Sequence, residues 1–274
     1  MDINAFKMDG LGNDFVIIDQ RKRAINLTKD QIVKICDRNF IGCDQLILIK
    51  KNEKNDAGLE FYNSDGSVSG ACGNGTRCVA DFLAKESNKK EITLWTSGGI
   101  LKSKILGNNL VETEIGVPKT NWDEIPLYKS LDTKNLNIKI SDKNNKEHSG
   151  GTAINVGNPH IIFFVENIDD FNLEKIGPEI ENHKFFPKKC NVTLAKVVHS
   201  NLVKVKVWER GAGLTKACGT AACATAVAGN IKNLIEKTVD IEFALGKLSI
   251  SIDNNNSVHM KGPVSDIKNI EIKL

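Results

Sequence analysis

The chain has 274 residues, of which 41% are hydrophobic and 26% charged, and its formal net charge is +3. This is the balance of an ordinary globular protein, long enough for two domains or one large one. The basic residues are scattered rather than gathered into a stripe, so no nucleic-acid partner is expected. The longest apolar stretches, such as Ile161 to Val165, are far too short to span a bilayer. The start, Met1-Asp2-Ile3-Asn4, has no basic-then-apolar signal pattern. A cytoplasmic location with no membrane contact is the expectation.

In chain order, Phe6 to Gln20 reads as strand, turn and strand, with the turn at Asp9-Gly10-Leu11-Gly12-Asn13-Asp14. Thr28 to Asn39 carries a helical pattern with Ile32, Ile35 and Cys36 on one face, and Thr28 or Asp30 is a suitable start. Gln45 to Ile49 and Leu59 to Tyr62 are predicted strands, and Asn63-Ser64-Asp65-Gly66 is a turn. The stretch Ala71-Cys72-Gly73-Asn74-Gly75-Thr76-Arg77-Cys78 follows, where a polar loop gives way to Cys78, Val79, Phe82 and Leu83 at helical spacing. Thr93 to Ile105 reads as a strand pair. Lys50 to Asp56 and Lys129 to Glu147 are polar and are predicted to be exposed loops.

Beyond a composition break at Pro118 the order repeats. Gly157-Asn158 followed by Ile161-Ile162 matches Gly12-Asn13 followed by Val16-Ile17, Asn191 matches Gln45, and Val205 to Trp208 matches Leu59 to Tyr62. Ala217-Cys218-Gly219-Thr220-Ala221-Ala222-Cys223 then matches the first cysteine stretch, and Val239 to Ile252 closes the copy as a second strand pair. All these pairs are offset by 145 or 146 residues and keep the same order. A duplicated domain follows. The expected halves are 1–118, to which 263–274 returns, and 119–262. Strands outnumber helices in each copy, and one strongly apolar helix stands in each. The predicted fold class is therefore α+β: two pseudo-symmetric domains, each a curved, mostly antiparallel sheet wrapped around a central helix. A site in the cleft between the domains is expected.

Seven cysteines, an odd number and widely spaced, do not suggest a disulfide framework, and neither a C-x-x-C pair nor a Cys/His cluster at zinc-ligand spacing occurs. Cys36, Cys43, Cys78, Cys190 and Cys223 read as small buried hydrophobes. Cys72 and Cys218 differ, because each directly precedes a helix start. There, unpaired backbone N–H groups and the positive end of the helix dipole favour thiolate and can hold a carboxylate. Read singly, either stretch is an ordinary helix-start turn. As a pair, they suit inversion of a carbon centre: one thiolate removes a proton from one face while the other thiol delivers one to the opposite face. The two thiols would titrate as a coupled unit. The helix starts would stabilise a carbanion beside a carboxylate, with no pyridoxal or metal motif in view.

Gly10-Leu11-Gly12-Asn13-Asp14-Phe15, Tyr62-Asn63-Ser64-Asp65-Gly66-Ser67, the two cysteine stretches, Gly157-Asn158-Pro159-His160 and Glu209-Arg210-Gly211-Ala212-Gly213 together resemble the diaminopimelate epimerase family, in the family's order and over most of the chain. The resemblance implies interconversion of LL- and meso-diaminopimelate without a cofactor, in lysine and peptidoglycan precursor synthesis, by a homodimer. It makes Cys72 and Cys218 the two acid–bases. Gly73, Asn74, Gly219 and Thr220 would hold the carboxylate of the reacting centre. Asn13, Gln45, Asn63, Asn158, Asn191, Glu209 and Arg210 would contact the rest of the substrate, with Arg210 able to pair bidentately with the distal carboxylate. His160 and Glu209 match residues that tune the thiols, and the repeat pairs them with Phe15 and Asn63, which do not titrate near neutral pH. The sequence departs from the commonest family pattern at Leu214 and Ala221.

Three other readings compete with this one. A two-thiol proline or hydroxyproline racemase needs no group for a distal ammonium and carboxylate, which the Glu209-Arg210 pair offers. A thiol redox protein would use Cys72 and Cys218 as a disulfide pair. A binding domain would close on an amino acid without moving a proton.

Overall fold

The computed structural model describes residues 2–70 and 72–274; Met1 and Ala71, the latter the first residue of the first cysteine stretch, lie outside the described residues. The chain divides into two compact units, Met1–Glu114 with Lys261–Leu274, and Ile115–Met260.

In the first unit, β1 (Asp2–Gly10) and β2 (Asn13–Asp19) form a hairpin through Leu11 and Gly12, with φ of 62° and 81°. Positive φ at both central residues is what a two-residue hairpin turn needs. Helix α1 (Lys29–Cys36) starts at Thr28, as expected, in a reciprocal cap. The Thr28 side chain accepts from the Gln31 N–H, and the Gln31 side chain accepts from the Thr28 N–H. Then come β3 (Gln45–Lys50), β4 (Ala57–Asn63), β5 (Val68–Ser69), α2 (Gly73–Ser87), β6 (Glu91–Thr96), β7 (Gly99–Gly107) and β8 (Leu110–Gly116). The row β1-β2-β3-β4-β6-β7 alternates antiparallel and parallel pairing. Phe15, Ile17, Ile47 and Phe61 pack on Cys78, Val79 and Leu83 of α2, whereas Val16, Ile18, Leu46 and Leu48 pack on Ile32 and Ile35 of α1. Strands covered on both faces read as unbroken apolar runs, which is why Phe15-Val16-Ile17-Ile18 and Leu46-Ile47-Leu48-Ile49 lack alternation. Because α2 touches β1 and β2 at one end of the row and β6 and β7 at the other, the sheet wraps around it.

The second unit opens with a small hairpin, β9 (Ile138–Ser141) and β10 (Glu147–Gly150), followed by β11 (Thr152–Asn155), β12 (Pro159–Phe164), α3 (Leu173–Glu181), β13 (Asn191–His199), β14 (Leu202–Glu209), β15 (Gly213–Thr215), α4 (Gly219–Ile231), β16 (Thr238–Phe243) and β17 (Gly246–Ile252). The row β11-β12-β13-β14-β16-β17 repeats the alternation of the first unit. The registers repeat as well: Phe15 lies opposite Gln45 and Leu46 opposite Tyr62, as His160 lies opposite Asn191 and Val192 opposite Trp208. The α+β duplication expected from the sequence is therefore real at the level of strand pairing. Finally β18 (Val258–Pro263) leads to β19 (Lys268–Lys273), which pairs antiparallel with β1.

Two elements differ from the sequence reading. The stretch 129–147 is not simply an exposed loop, because Leu136, Ile138 and Ile140 alternate into the core and bring β9 with them. Helix α3 carries Pro178 in its interior, which masks a helical run whose Leu173, Ile176 and Ile180 are buried against β12 and β13 residues. The five cysteines read as small hydrophobes, Cys36, Cys43, Cys78, Cys190 and Cys223, are all buried.

Close approach of α2 to the sheet depends on Gly75. A Cβ there would lie 2.6 Å from Ile47 Cδ1, 3.1 Å from Phe61 Cε1 and 3.3 Å from Phe15 Cε1. Gly75→Ala should lower unfolding stability by about 1–2 kcal/mol, because overpacking outweighs the gain in helix propensity. Urea denaturation of the two proteins measures it, and an unchanged or raised midpoint would contradict this packing.

Candidate active site

The first half-site is built at the start of α2. Cys72 is its N-cap, with extended backbone (φ −140°, ψ 114°), and its half-buried Sγ accepts from the Gly75 N–H at 3.5 Å. Its carbonyl accepts from Thr76 N and Thr76 Oγ1, at 2.8 and 2.7 Å. The Cys72 thiol donates to Asn13 Oδ1 at 3.8 Å, and Asn74 Nδ2 donates to the same oxygen at 3.4 Å. Asn74 is in turn held by the fully buried Arg77, whose Nη2 donates to Asn74 Oδ1 at 2.8 Å. Gly10 packs closely against this cluster: a Cβ on it would lie 3.1 Å from Asn74 Cβ. At the facing ends of β3 and β4, Gln45 Nε2 donates to Asn63 Oδ1 at 2.9 Å, and Asn63 Nδ2 donates to Ser67 Oγ at 3.0 Å. The buried Gln45 Oε1 has no hydrogen-bond partner among the described residues.

The second half-site repeats this plan with different chemistry. Cys218 caps α4 with almost the same backbone (φ −139°, ψ 113°), but it is buried, and Thr220 Oγ1 lies 3.4 Å from its Sγ. Burial pushes the Cys218 thiol well up, Glu209 adds to the shift, and the Thr220 hydroxyl opposes it. Glu209 ends β14 and accepts from Thr215 Oγ1 at 2.6 Å. His160, in the place that Phe15 takes in the first unit, is completely buried. Its Nε2 lies 2.9 Å from Asn158 Oδ1, and its Nδ1 has no hydrogen-bond partner among the described residues. Asn191 Nδ2 donates to Pro159 O at 3.0 Å and approaches His160 Nε2 at 3.4 Å, while its Oδ1 accepts from the Arg210 N–H at 2.9 Å. Arg210 Nη1 donates to Lys188 O at 2.8 Å.

The first unit thus gathers Asn13, Gln45, Asn63, Gly73, Asn74 and Cys72 on neighbouring strand ends and one helix start. The second gathers Asn158, His160, Asn191, Glu209, Arg210, Cys218, Gly219 and Thr220 in the same way. Sequence reasoning assigned no role to Asp44, Arg77 or Thr215, which hold Asn13, Asn74 and Glu209 respectively. Arg77 lay inside a quoted motif and Asp44 beside Gln45, but what they touch is set by folding. Among the described residues, no group of three or more His, Cys, Asp or Glu side chains is placed to hold a metal ion, and no helix is long and apolar enough to cross a membrane.

The duplicated fold is shared with solved structures of low sequence identity. A hydroxyproline epimerase from Agrobacterium vitis matches with a TM-score of 0.70 at 12% identity, over 99% of this chain and 91% of that one. A phenazine biosynthesis protein of the PhzF family from Bacillus anthracis matches with a TM-score of 0.70 at 16% identity over the whole of both chains. Within that fold the sequence is more specific. The family model for diaminopimelate epimerase matches residues 5–120 and again 152–267, once per repeat. The diaminopimelate epimerase of Pelagibacter ubique is 77% identical over the full length of both chains, and that of Acidiphilium cryptum is 40% identical over 94% of this chain and 92% of its own. The chain belongs to the diaminopimelate epimerase family.

His160 gives this site a measurable signature. Burial, reinforced by the Arg210 charge, lowers its pKa from 6.5 to about 3. The unfolded chain therefore binds this proton between those two values while the folded chain does not, and stability falls as pH drops through that window. From pH 7 to pH 5 the wild type should lose about 2 kcal/mol more than His160→Gln. Urea titrations of both proteins at the two pH values check this, and parallel losses would contradict a neutral, buried His160.

Proposed function

We propose that the protein interconverts LL- and meso-diaminopimelate by moving a proton between two thiols, without a cofactor. The observation that carries this is the equivalence of Cys72 and Cys218: 146 residues apart, each is the N-cap of the thiol-bearing helix in its unit, with backbone angles that agree within a degree. Starting from one isomer, one of these thiols takes the α-proton as thiolate while the other, still protonated, delivers to the opposite face. Burial and Glu209 favour the protonated form of Cys218. The carboxylate at the reacting carbon is held by the N–H groups of Gly73, Asn74, Gly219 and Thr220, where the helix dipole also favours the charge that develops as the proton leaves.

At the distal end, the substrate offers an ammonium and a carboxylate. The buried Gln45 Oε1 is an acceptor suited to the ammonium. Leaving such an oxygen unpaired costs about 1–3 kcal/mol, which a bound donor recovers. Asn13, Asn63, Asn158, Asn191 and Glu209 line the remaining contacts, and the Arg210 guanidinium takes the carboxylate. His160 and Glu209 make the two thiols inequivalent, because the matching positions in the first unit, Phe15 and Asn63, carry no group that titrates near neutral pH. The protein works as a cytoplasmic homodimer in this reading.

Proton NMR of LL-diaminopimelate with the reduced protein in deuterated water, free proline in a parallel tube, tests the assignment. Loss of the α-proton signal and growth of the meso isomer, with proline untouched, is the expected result. Exchange on proline alone would instead place the chain with the proline racemases. Cys72→Ser and Cys218→Ser should each slow epimerisation by about 10²- to 10⁴-fold, the usual scale of a lost acid–base group. Glu209→Gln should shift the pH–rate profile differently in the two directions, and identical shifts would contradict its role in separating the thiols.

A further inference from the structure

Asn13 reaches Cys72 through its carbonyl oxygen, and an asparagine amide can equally well turn round and present its NH2. What prevents this lies on the side away from the thiol. Asn13 Nδ2 donates to Asp44 Oδ2 at 3.0 Å, and an ionised carboxylate only accepts. On the other flank, Arg77 only donates, and it donates to Asn74 Oδ1, which turns Asn74 Nδ2 towards Asn13 Oδ1. The hydrogen bonds therefore run in one direction, from Arg77 through Asn74 and Asn13 to Asp44. With a donor-only group at one end and an acceptor-only group at the other, neither amide can flip without setting two donors or two acceptors against each other.

Asp44 is itself held rigidly. Its backbone N–H donates to Asp14 O at 3.0 Å and to Asp14 Oδ1 at 3.1 Å, and its Oδ2 accepts from the Asp14 N–H at 3.1 Å. Arg38 joins the two carboxylates: Nη1 donates to Asp14 Oδ2 at 2.7 Å, and Nη2 donates to Asp14 Oδ1 at 2.8 Å and to Asp44 Oδ1 at 2.6 Å. Lys7 lies 3.6 Å from Asp14 Oδ2 and donates to Gly42 O at 2.6 Å, which ties down the loop leading to Asp44.

We propose that Asp44 is a positioning residue of the epimerase reaction, fixing the Asn13 amide so that its carbonyl oxygen, and not its NH2, faces Cys72 and the substrate. This rests on the reading of Asn13 as a substrate contact and Cys72 as an acid–base. A carbonyl there accepts from a substrate ammonium and repels a substrate carboxylate, so the polarity of this one amide helps decide which way round the substrate lies.

The test is a double-mutant cycle on epimerisation of LL-diaminopimelate with Asn13→Ala, Asp44→Ala and the double variant. Asp44→Asn, which keeps the size of the side chain, covers any folding defect of the alanine variant. Asp44→Ala and Asp44→Asn should each lower kcat/KM by about 10- to 100-fold, the scale of a charged hydrogen bond. In the Asn13→Ala background, removing Asp44 should cost less than about 3-fold, because the amide it orients is gone. A merely structural role would give the same loss in both backgrounds, and that additivity would overturn the proposal. So would Asp44 variants with wild-type kinetics beside an impaired Asn13→Ala, which would leave the site reading intact. Wild-type kinetics for Asn13→Ala itself would remove the assignment of Asn13, and the proposal with it.

Discussion

Two helix starts must be held still with backbone N–H groups left available, and most of the structure follows from that requirement. A thiol gains acid–base character and a carboxylate gains a seat only while the first turn of the helix stays in place. In the first unit, the helix is anchored by the apolar face of the sheet, with Gly75 allowing Ile47, Phe61 and Phe15 to come within contact of the turn that carries Cys72. In the second, nearly every residue of α4 is buried, and its small side chains, Ala221, Ala222, Ala224, Ala226 and Ala228, let it sit among close neighbours. Burying both helices places polar groups in the interior, and each of those then needs a defined partner.

The duplication supplies the scaffold, and the departures from symmetry supply the chemistry. Phe15 and His160 occupy equivalent places beside the thiol helix, one an apolar plug and the other a buried, neutral imidazole beside Asn158. Asn63 and Glu209 end equivalent strands, and the Glu209 carboxylate acts on the Cys218 thiol. Arg77 and Cys223 also correspond at the 146-residue offset, and a buried guanidinium therefore belongs to the Cys72 side alone. A perfectly symmetric pair of thiols would share one proton with no preference for either side. These substitutions separate them.

Much of this plan was legible in the sequence, because duplication turns weak signals into a pattern. The 145–146 offset anticipated the register in which Gln45 opposes Phe15 and Asn191 opposes His160. The Thr28 cap and the two thiol helices were readable from local chemistry. Helix α3 was hidden by Pro178 inside it, and β9 by the polar residues that alternate with Leu136, Ile138 and Ile140. The residues that orient the site were out of reach for a different reason. Asp44 stands 31 positions from Asn13, and only the parallel pairing of β2 with β3 brings them together. Nothing in the local sequence marks Asp44 as different from any other surface aspartate.

In the proposed reaction, two different thiols handle the proton on the two faces of the α-carbon. The most direct measurement is the early distribution of deuterium when reduced protein turns over LL-diaminopimelate in deuterated water. With two bases, the donor thiol carries solvent deuterium, so the meso product should be labelled at its inverted centre from the first turnovers while the remaining LL substrate stays unlabelled. A single base that picks up and returns the same proton would give unlabelled product at early times, and that result would contradict the two-thiol chemistry.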